Sequence, residues 1–281
     1  MPELPEVETT RRCVAPVLEG RRLVEAVVRR DRMARRNLRP ADVPERLSGR
    51  TVASVGRRGK FIVAPVEGDI TMIIHLGMSG RLQIADRGEP EVEHTNVVLR
   101  IDTGREVRMV DPRTFGFIAA LTPAELETSS LGLLGPDALD DLPSGSELAG
   151  RLAGRSAPIK ALLLDQRLVS GLGNIYADEV LFRAGVHPRR KAGSLTIDEV
   201  TAIRDAIGPV LAEGIAHGGT SLEDLAYLLP DGRAGEYVAR LDAYGRSGEP
   251  CNACGSPIER LTVAQRSSHF CPRCQPEETT G

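Results

Sequence analysis

The first apolar pattern in the chain has helical spacing and starts close to the N-terminus. The residues that share one face are Val7, Thr10, Val14, Val17 and Leu18. Gly20 ends the pattern, as glycine often does after the last turn of a helix. Pro2 and Pro5 are compatible with a helix start, because proline is tolerated in the first turn. The sequence therefore predicts an amphipathic N-terminal helix.

A series of short apolar segments follows, and their composition is typical of strands rather than helices. The predicted strands include 23–28, 52–55, 60–63, 70–74, 96–101 and 107–110. Asp-Thr-Gly-Arg at 102–105 separates the last two and is a hairpin turn signal. We expect these segments to form a β-sandwich that carries the N-terminal helix.

The second half of the chain changes pattern. Residues 122–150 are rich in Pro, Gly, Ser and acidic residues, residues 151–218 have helical periodicity, and a polar stretch leads into a cysteine-containing tail. The predicted fold is α+β. Its predicted domains are a catalytic sandwich over 1–125, a linker over 126–150, a helical domain over 151–244 and a cysteine-rich finger over 245–281.

Composition and charge limit the possible classes of protein. The chain has 281 residues, enough for two ordinary cores, and 41% of them are hydrophobic, with no long apolar run. The N-terminus is acidic and does not resemble a secretory signal, so we expect a cytoplasmic protein. Nothing indicates a large exposed apolar face, which favours a monomer.

The net charge of −3 is unevenly distributed. Residues 1–60 carry 15 Arg or Lys against 8 Asp or Glu, whereas residues 61–150 carry 6 against 15. A basic segment in an acidic chain fits one positively charged face for nucleic acid, although scattered solvated arginines would give the same count. Lysine is rare, at positions 60, 160 and 191 among 36 basic residues. Because Arg is effectively never neutral, Lys60 is a candidate for a task that needs loss of a proton.

The first residues offer unusual chemistry. Removal of Met1 would leave Pro2 with a secondary amine, which can attack an electrophilic carbon and form a positively charged iminium ion. A helix N-terminus nearby would disfavour the protonated amine and leave more free nucleophile, and Glu3 places a carboxyl group beside it. The simpler interpretation, in which Pro2 and Pro5 only start the helix, stays open on these residues alone.

Four cysteines near the C-terminus have the spacing of a zinc ribbon. Cys251-x-x-Cys254 and Cys271-x-x-Cys274 are separated by sixteen residues, which suits tetrahedral thiolate coordination of one structural Zn²⁺. Two disulfides are the alternative, but the lack of secretory features favours reduced thiols. We interpret His269 as a neighbour of the metal rather than a ligand, and Cys13 as a packed hydrophobe.

Several motifs along nearly the whole chain carry a family resemblance. They are Pro-Glu-Leu-Pro-Glu-Val-Glu-Thr at 2–9, Gly-Lys at 59–60, His-Leu-Gly-Met-Ser-Gly at 75–80, Asp-Pro-Arg-Thr-Phe-Gly at 111–116, Gly-Leu-Gly-Asn-Ile-Tyr at 171–176, Gly-Gly-Thr at 218–220, Tyr-Gly-Arg at 244–246, and Ala-Gln-Arg at 264–266 with the cysteines. In this order they resemble the formamidopyrimidine-DNA glycosylase family, bacterial DNA repair enzymes that excise oxidised purines. The resemblance implies glycosylase and lyase activity on double-stranded DNA containing oxidised bases or abasic sites.

The resemblance also implies a role for each matching residue. Pro2 is expected to attack C1′ of the damaged nucleotide and Glu3 to act as general acid in sugar-ring opening. Lys60 and Arg266 are expected to hold the flanking phosphates and assist β,δ-elimination; otherwise Lys60 is one more member of the basic patch at 57–58. Met78, Arg113 and Phe115 would fill the gap left by an extruded nucleotide, although Met78 and Phe115 could instead pack in a core.

Further DNA contacts follow from the same resemblance. Asn174 lies in what resembles a helix–two-turn–helix element, and His94, Arg155 and Lys160 match positions that touch the DNA backbone. His94 could also be an ordinary surface histidine, and Thr95-Asn96 after it departs from the usual family pattern. Residues 217–240 resemble a loop that closes over the flipped purine, with extra residues near 226–229.

Two other functions are compatible with the sequence. An endonuclease VIII-like enzyme would prefer oxidised pyrimidines, but such relatives usually have Gly-Asp or Gly-Pro after Pro-Glu, where this chain has Leu4-Pro5. A non-catalytic DNA-binding protein would have lost Pro2, Glu3 or Lys60, and this chain keeps all three. We therefore expect a base-excision repair enzyme, cytoplasmic and associated with the bacterial nucleoid.

Overall fold

The computed structural model describes residues 2–222 and 227–277. It divides into two compact units. The first contains Met1–Leu133 and Gly214–Val238, and the second contains Leu134–Glu213 and Ala239–Gly281. Within the described ranges, every helix falls short of the length or the apolar character that crossing a lipid bilayer requires.

The first unit is a β-sandwich, as the strand pattern predicts. Its strands are β1 (Leu23–Val28), β2 (Gly56–Arg58), β3 (Phe61–Val66), β4 (Ile70–His75), β5 (Arg81–Asp86), β6 (Thr95–Ile101), β7 (Arg105–Val110) and β8 (Phe117–Leu121). They form two four-stranded antiparallel sheets, in the orders β1-β6-β7-β5 and β2-β3-β4-β8. Both sheets contribute apolar side chains to one shared core.

Helices complete the first unit. They are α1 (Leu4–Leu18), α2 (Asp42–Leu47), α3 (Pro123–Thr128) and a short 3₁₀ turn at Asp31–Ala34. The predicted face of α1 is buried, with Val7 1% exposed and Val14 and Leu18 completely covered. Burial of side chains of this size contributes about 1.5–3 kcal/mol each. The apolar face of α1 therefore fixes the N-terminus of the chain on the sandwich.

One predicted strand does not form. Residues 52–55 make only an isolated bridge, between Val52 and Val66. The backbone of this segment bonds instead to the turn after α1, where Gly20 N–H donates to Val52 O and Val52 N–H donates to Arg21 O. The local pattern of valines cannot distinguish these two partners.

The second unit is helical and ends in a hairpin. Its elements are α4 (Gly145–Leu152), α5 (Ile159–Leu163), α6 (Asn174–Ala184), most of α7 (Ile197–Ala216), β9 (Glu259–Val263) and β10 (Arg266–Phe270). The turn between β9 and β10 has two residues, Ala264 and Gln265, with φ of 46° and 62°. Positive φ at both positions is the geometry of a tight hairpin turn. This turn places Arg266 at the tip of the finger.

Two boundaries differ from the predicted domains. The segment 126–150, interpreted as a linker, contains the start of α4, whose cap pairs Ser144 with Glu147. The segment Gly214–Val238, predicted as part of the helical domain, groups with the sandwich. This segment groups with the sandwich because Thr220 and Tyr227 form hydrogen bonds to Glu6, and no local sequence pattern predicts these bonds.

Candidate active site and metal centre

The predicted nucleophile lies at the start of α1. Pro2 is buried, and Glu3 is 1% exposed and caps the helix that begins at Leu4. The backbone N–H of Glu3 donates to Oε2 of Glu6 at 2.8 Å. Pro2 therefore lies next to the end of α1 that carries the partial positive charge of the helix dipole. Met1, whose removal the chemistry requires, lies outside the described residues.

Glu6 ties a distant segment to this helix end, and sequence reasoning missed it. Its buried carboxylate also accepts the N–H of Thr220 at 2.7 Å. The hydroxyl of Tyr227 donates to the carbonyl oxygens of Glu6 and Gly218 at 3.3 and 3.2 Å. Burial, and then the charge of Glu6, raise the pKa of Tyr227, so this donor keeps its proton. Two points of the predicted lesion-covering loop, Thr220 near its start and Tyr227 in its middle, are thus attached to α1, the helix that Pro2 and Glu3 precede.

Gly219 allows this close approach. A Cβ at this position would lie 2.8 Å from both Cγ and Oε1 of Glu6, and its φ of +82° disfavours other residues. The Gly-Gly-Thr motif therefore has a packing reason. The predicted extra residues near 226–229 fall partly outside the described residues, which resume at Tyr227.

Lys60 lies at the turn of a hairpin that packs on α1. This hairpin joins β2 to β3, and both strands contact α1. Arg57 Nε lies 3.4 Å from Glu8 Oε2, and Arg11 Nη1 donates to Val55 O at 3.2 Å. The side chain of Lys60 is 7% exposed, so it belongs to the packed end of the sandwich rather than to a solvated basic patch.

His75 is a second residue that sequence reasoning missed, although it opens the motif at 75–80. It pairs with Phe61, the residue after Lys60, across β3 and β4. Burial, followed by the charge of Lys60, lowers its pKa to about 4, so the ring is neutral near pH 7. Its Nδ1 accepts the N–H of Gly77 at 3.1 Å, which assigns the proton of the neutral ring to Nε2. His75 is therefore a neutral ring with its proton on Nε2, and it packs against the rings of Phe61 and Phe117.

The three predicted gap-filling residues lie on two connected loops. Met78 is half-buried, Arg113 is exposed, and Phe115 is 37% exposed. The guanidinium of Arg113 lies 4.6 Å from the ring centre of Phe115. Ser79 Oγ donates to the buried carboxylate of Asp111 at 2.7 Å and so joins the two loops. Met78 and Phe115 are thus on loops, not in the sandwich core.

Asp111 also organises the backbone of the second loop. Its carboxylate accepts the N–H groups of Gly116 at 2.7 Å and Arg113 at 3.2 Å. Gly77 packs directly against this turn, because a Cβ there would lie 2.4 Å from Gly116 N. Arg113 and Phe115 are therefore carried by a loop whose backbone is fixed by Asp111 and by close packing against Gly77.

The remaining predicted DNA-contacting residues divide into exposed and buried ones. His94 and Arg155 are exposed. Asn174 is the first residue of α6, after α5, and its Nδ2 donates to Ser267 Oγ at 3.3 Å. Arg266 is exposed at the beginning of β10, next to Ser267. In the second unit, Asn174 and the finger tip are thus brought together.

Lys160 corrects a prediction. We expected it to touch the DNA backbone, but its side chain is completely buried and its amino group is already engaged. Nζ lies 2.7 Å from Oδ1 of Asp178 and donates to Ser267 O at 2.6 Å. Asp178 also accepts from Ser268 Oγ and His269 N–H, both at 2.9 Å. A direct phosphate contact is therefore excluded in this conformation, and Lys160 supports the finger hairpin instead.

The four predicted metal ligands converge on one point. The Sγ atoms of Cys251, Cys254, Cys271 and Cys274 all lie within 4.8 Å of one another. The Cys251–Cys274 and Cys254–Cys271 pairs are separated by 3.9 and 3.4 Å, close to the spacing of about 3.8 Å that tetrahedral Zn–S bonds of 2.3 Å give. His269 is directed at Asp178, with Nδ1 3.3 Å from Oδ2. The four thiolates form a closed site for one structural Zn²⁺, and Cys13 lies half-buried on α1.

Three parts define the architecture of a bacterial DNA glycosylase. They are a β-sandwich whose first helix is preceded by Pro2 and capped by Glu3, a helical unit, and a four-cysteine finger. Three family models match the chain. They are the formamidopyrimidine-DNA glycosylase N-terminal domain over residues 1–118, the H2TH domain of the same enzymes over 134–225, and a zinc finger found in FPG and IleRS over 248–276. The chain belongs to the formamidopyrimidine-DNA glycosylase family.

Individual relatives agree along the full length. The formamidopyrimidine-DNA glycosylases of Gluconobacter oxydans and Geobacter sulfurreducens are 44% and 43% identical, each aligned over 98% of this chain and 100% of its own length. Among solved structures, MutM (FPG) of Thermus thermophilus matches with a TM-score of 0.87 and 42% identity over 99% of this chain and 100% of its own. Lactococcus lactis Fpg, in complex with DNA containing an abasic site, matches with a TM-score of 0.89 and 30% identity over 98% and 100%.

Proposed function

We propose that this protein is a base-excision repair enzyme, a bifunctional DNA glycosylase and abasic-site lyase that removes oxidised purines such as 8-oxoguanine and formamidopyrimidines. The observation that carries the proposal is the buried Pro2 at the positive end of α1, next to the buried carboxyl group of Glu3. It fits the relatives named above, and a mutant of the Lactococcus lactis Fpg has also been solved in complex with Fapy-dG DNA. We expect the protein to act on bacterial DNA in the cytoplasm, at the nucleoid.

In the proposed first step, the secondary amine of Pro2 attacks C1′ of an extruded nucleotide. The N–C1′ bond forms and the damaged base leaves with the electrons of the glycosidic bond. Glu3 protonates the ring oxygen, so the sugar opens and the adduct becomes an iminium ion. Because Pro2 is a secondary amine, this iminium carries a positive charge at any pH.

In the later steps the iminium acts as an electron sink. Loss of a C2′ proton gives an enamine, and the 3′ phosphate leaves by β-elimination; a second elimination releases the 5′ phosphate. Lys60 and Arg266 supply positive charge to these departing phosphates. Hydrolysis of the adduct then restores the amine of Pro2.

DNA binding is assigned to exposed and half-buried residues of both units. Arg113, Phe115 and Met78 fill the space left by the nucleotide, while His94, Arg155 and Asn174 hold phosphates without reading sequence. The Zn²⁺ site holds the hairpin that carries Arg266. This assignment predicts strong salt dependence of binding, because each phosphate contact releases counterions.

Excision from defined duplexes tests the proposal. The wild-type protein should release 8-oxoguanine faster than thymine glycol, and Pro2→Gly should lose most of this activity while it still binds the duplex. A variant with one uncleavable residue before Pro2 is the matched control, because it keeps the proline but blocks its amine. Faster release of thymine glycol would instead support the endonuclease VIII-like alternative. The observation that favours testing this alternative is the solved complex of Lactococcus lactis Fpg with DNA containing an oxidised pyrimidine.

A further inference from the structure

One arginine outside the family motifs directs most of its hydrogen bonds to a single loop. Arg35 follows the 3₁₀ turn Asp31–Ala34. Its guanidinium donates to three consecutive carbonyl groups, at 3.4 Å to Thr114 O and at 2.7 Å to both Phe115 O and Gly116 O. It also donates to Arg32 O at 2.7 Å, which anchors the guanidinium to its own segment.

These bonds complement those that Asp111 makes. Asp111 accepts N–H groups of the loop 111–116, at Arg113 and Gly116, whereas Arg35 donates to its carbonyl groups. Two side chains of opposite charge therefore bind the loop backbone, Asp111 through two of its N–H groups and Arg35 through three of its carbonyl groups. A planar guanidinium can span adjacent carbonyl oxygens in a way that the single ammonium of lysine cannot.

The loop needs such support because its backbone includes an unfavourable conformation. Thr114 has φ of +52°, a left-handed conformation that is unfavourable for residues other than glycine. Its N–H donates to Asp111 O at 3.3 Å, and its carbonyl accepts from Arg32 Nε at 3.2 Å in addition to Arg35. This conformation presents Arg113 and Phe115 side by side at the exposed tip.

We propose that Arg35 is a positioning residue that holds the loop 111–116 in its DNA-entering conformation before DNA binds. The inference rests on the proposed function, in which Arg113 and Phe115 fill the space of an extruded nucleotide. A loop that is already ordered does not lose further entropy when it enters the duplex, so extrusion of a paired base is faster. Arg35 itself does not need to touch DNA for this effect.

A comparison of two substrates tests the role. One duplex carries 8-oxoguanine opposite cytosine, and the other carries the same lesion opposite an abasic analogue, where no base pair has to be opened. Under single-turnover conditions, Arg35→Ala should slow excision from the paired duplex by about tenfold, which corresponds to about 1.4 kcal/mol, and from the unpaired duplex by less than about twofold. Arg35→Lys should recover only part of the loss.

Arg36→Ala is the matched control. The guanidinium groups of Arg35 and Arg36 both lie 5.3 Å from the centre of the Phe117 ring, but among the described residues Arg36 makes no hydrogen bond to the loop. This variant should keep the wild-type ratio of the two rates. Because the ratio is taken within one variant, an unfolded fraction cancels. Equal losses on both duplexes, or no loss at all, would overturn the proposal.

Hydrogen exchange of the DNA-free protein gives a readout that does not depend on enzyme activity. Arg35→Ala should speed exchange of the amides of Phe115 and Gly116, and Arg36→Ala should leave them unchanged. Unchanged exchange in Arg35→Ala would overturn the proposal even if the protein excised a different lesion. Failure of the wild-type protein to excise any oxidised base would count against the proposed function alone.

Discussion

The sandwich and the finger hold the residues of the proposed active site by different means. Pro2, Glu3 and Lys60 stand on α1 and on a hairpin of the sandwich, which rests on a large apolar core. Around the finger, the buried apolar cluster contains Cys251, Ile258 and Cys271, so two of its three buried members are metal ligands. A domain this small cannot bury enough apolar surface to fold alone. The position of Arg266 should therefore depend on the metal, and that of Pro2 should not.

Removal of zinc should give the largest effect and separate the two regions. Chelation or Cys271→Ser should unfold the finger, because binding of structural Zn²⁺ supplies about 10–16 kcal/mol in such modules. DNA affinity should fall by at least about 100-fold through loss of Arg266 and its neighbours, whereas the thermal unfolding of the sandwich should change little. Metal analysis, DNA binding and calorimetry check this together. Full affinity in zinc-free protein would show that the finger is not needed to hold Arg266.

The buried pair beneath the finger should give the second largest effect. Asp178→Leu leaves the charge of Lys160 buried without its partner and should cost about 3–5 kcal/mol of unfolding free energy. The double variant with Lys160→Met should recover part of that cost. Urea unfolding measures both variants. Glu213→Gln is the control within the same unit, because its half-exposed pair with Arg183 should contribute about 1 kcal/mol or less.

Glu6 supplies the equivalent test in the sandwich unit. Glu6→Gln replaces one of two acceptor oxygens with an NH₂ group that faces a backbone N–H, which should cost about 1.5–3 kcal/mol. Excision should slow more than DNA binding weakens, because the helix end that holds Pro2 and Glu3 is disturbed. Glu45 is the control, because its exposed carboxylate pairs with the exposed Arg39; Glu45→Gln should change neither the unfolding free energy nor the excision rate. Equal behaviour of the two variants would contradict a positioning role for Glu6.

The smallest expected effect comes from His75 and depends on pH. Its pKa is lowered from 6.5 to about 4 in the folded protein, so the unfolded chain takes up a proton first as the pH falls. Its contribution to stability is therefore present above pH 6.5 and is lost towards pH 4. Between pH 7 and pH 5 the wild-type protein should lose about 1–2 kcal/mol more than His75→Gln, measured by denaturant unfolding at each pH. If both proteins lost the same amount of unfolding free energy between pH 7 and pH 5, protonation of His75 would be excluded as the cause of the loss.

The sequence predicted those features that local patterns encode. The buried face of α1 follows from apolar spacing, and the metal ligands follow from two Cys-x-x-Cys pairs. The hairpin between β6 and β7 follows from its turn residues. In each case the residues that interact are near one another in the chain or have a fixed spacing.

The features that sequence reasoning missed depend on partners far apart in the chain. The burial of Lys160 requires Asp178 on α6 and Ser267 in the finger, and the grouping of residues 214–238 with the sandwich requires the bond from Thr220 to Glu6. The family resemblance assigns Lys160 to a DNA contact, and residues 214–238 are placed in the helical domain because they follow a helical pattern along the chain. Arg35 illustrates the same limit, since nothing near it indicates a loop eighty residues away.

The most direct test of the account is to locate the covalent bond. Borohydride reduction during reaction with an 8-oxoguanine duplex should trap protein on DNA, and mass spectrometry of the digested adduct should place the sugar on the nitrogen of Pro2, in protein that has lost Met1. A trapped adduct on Lys60 or another lysine, or full excision by protein that retains Met1, would contradict the central claim.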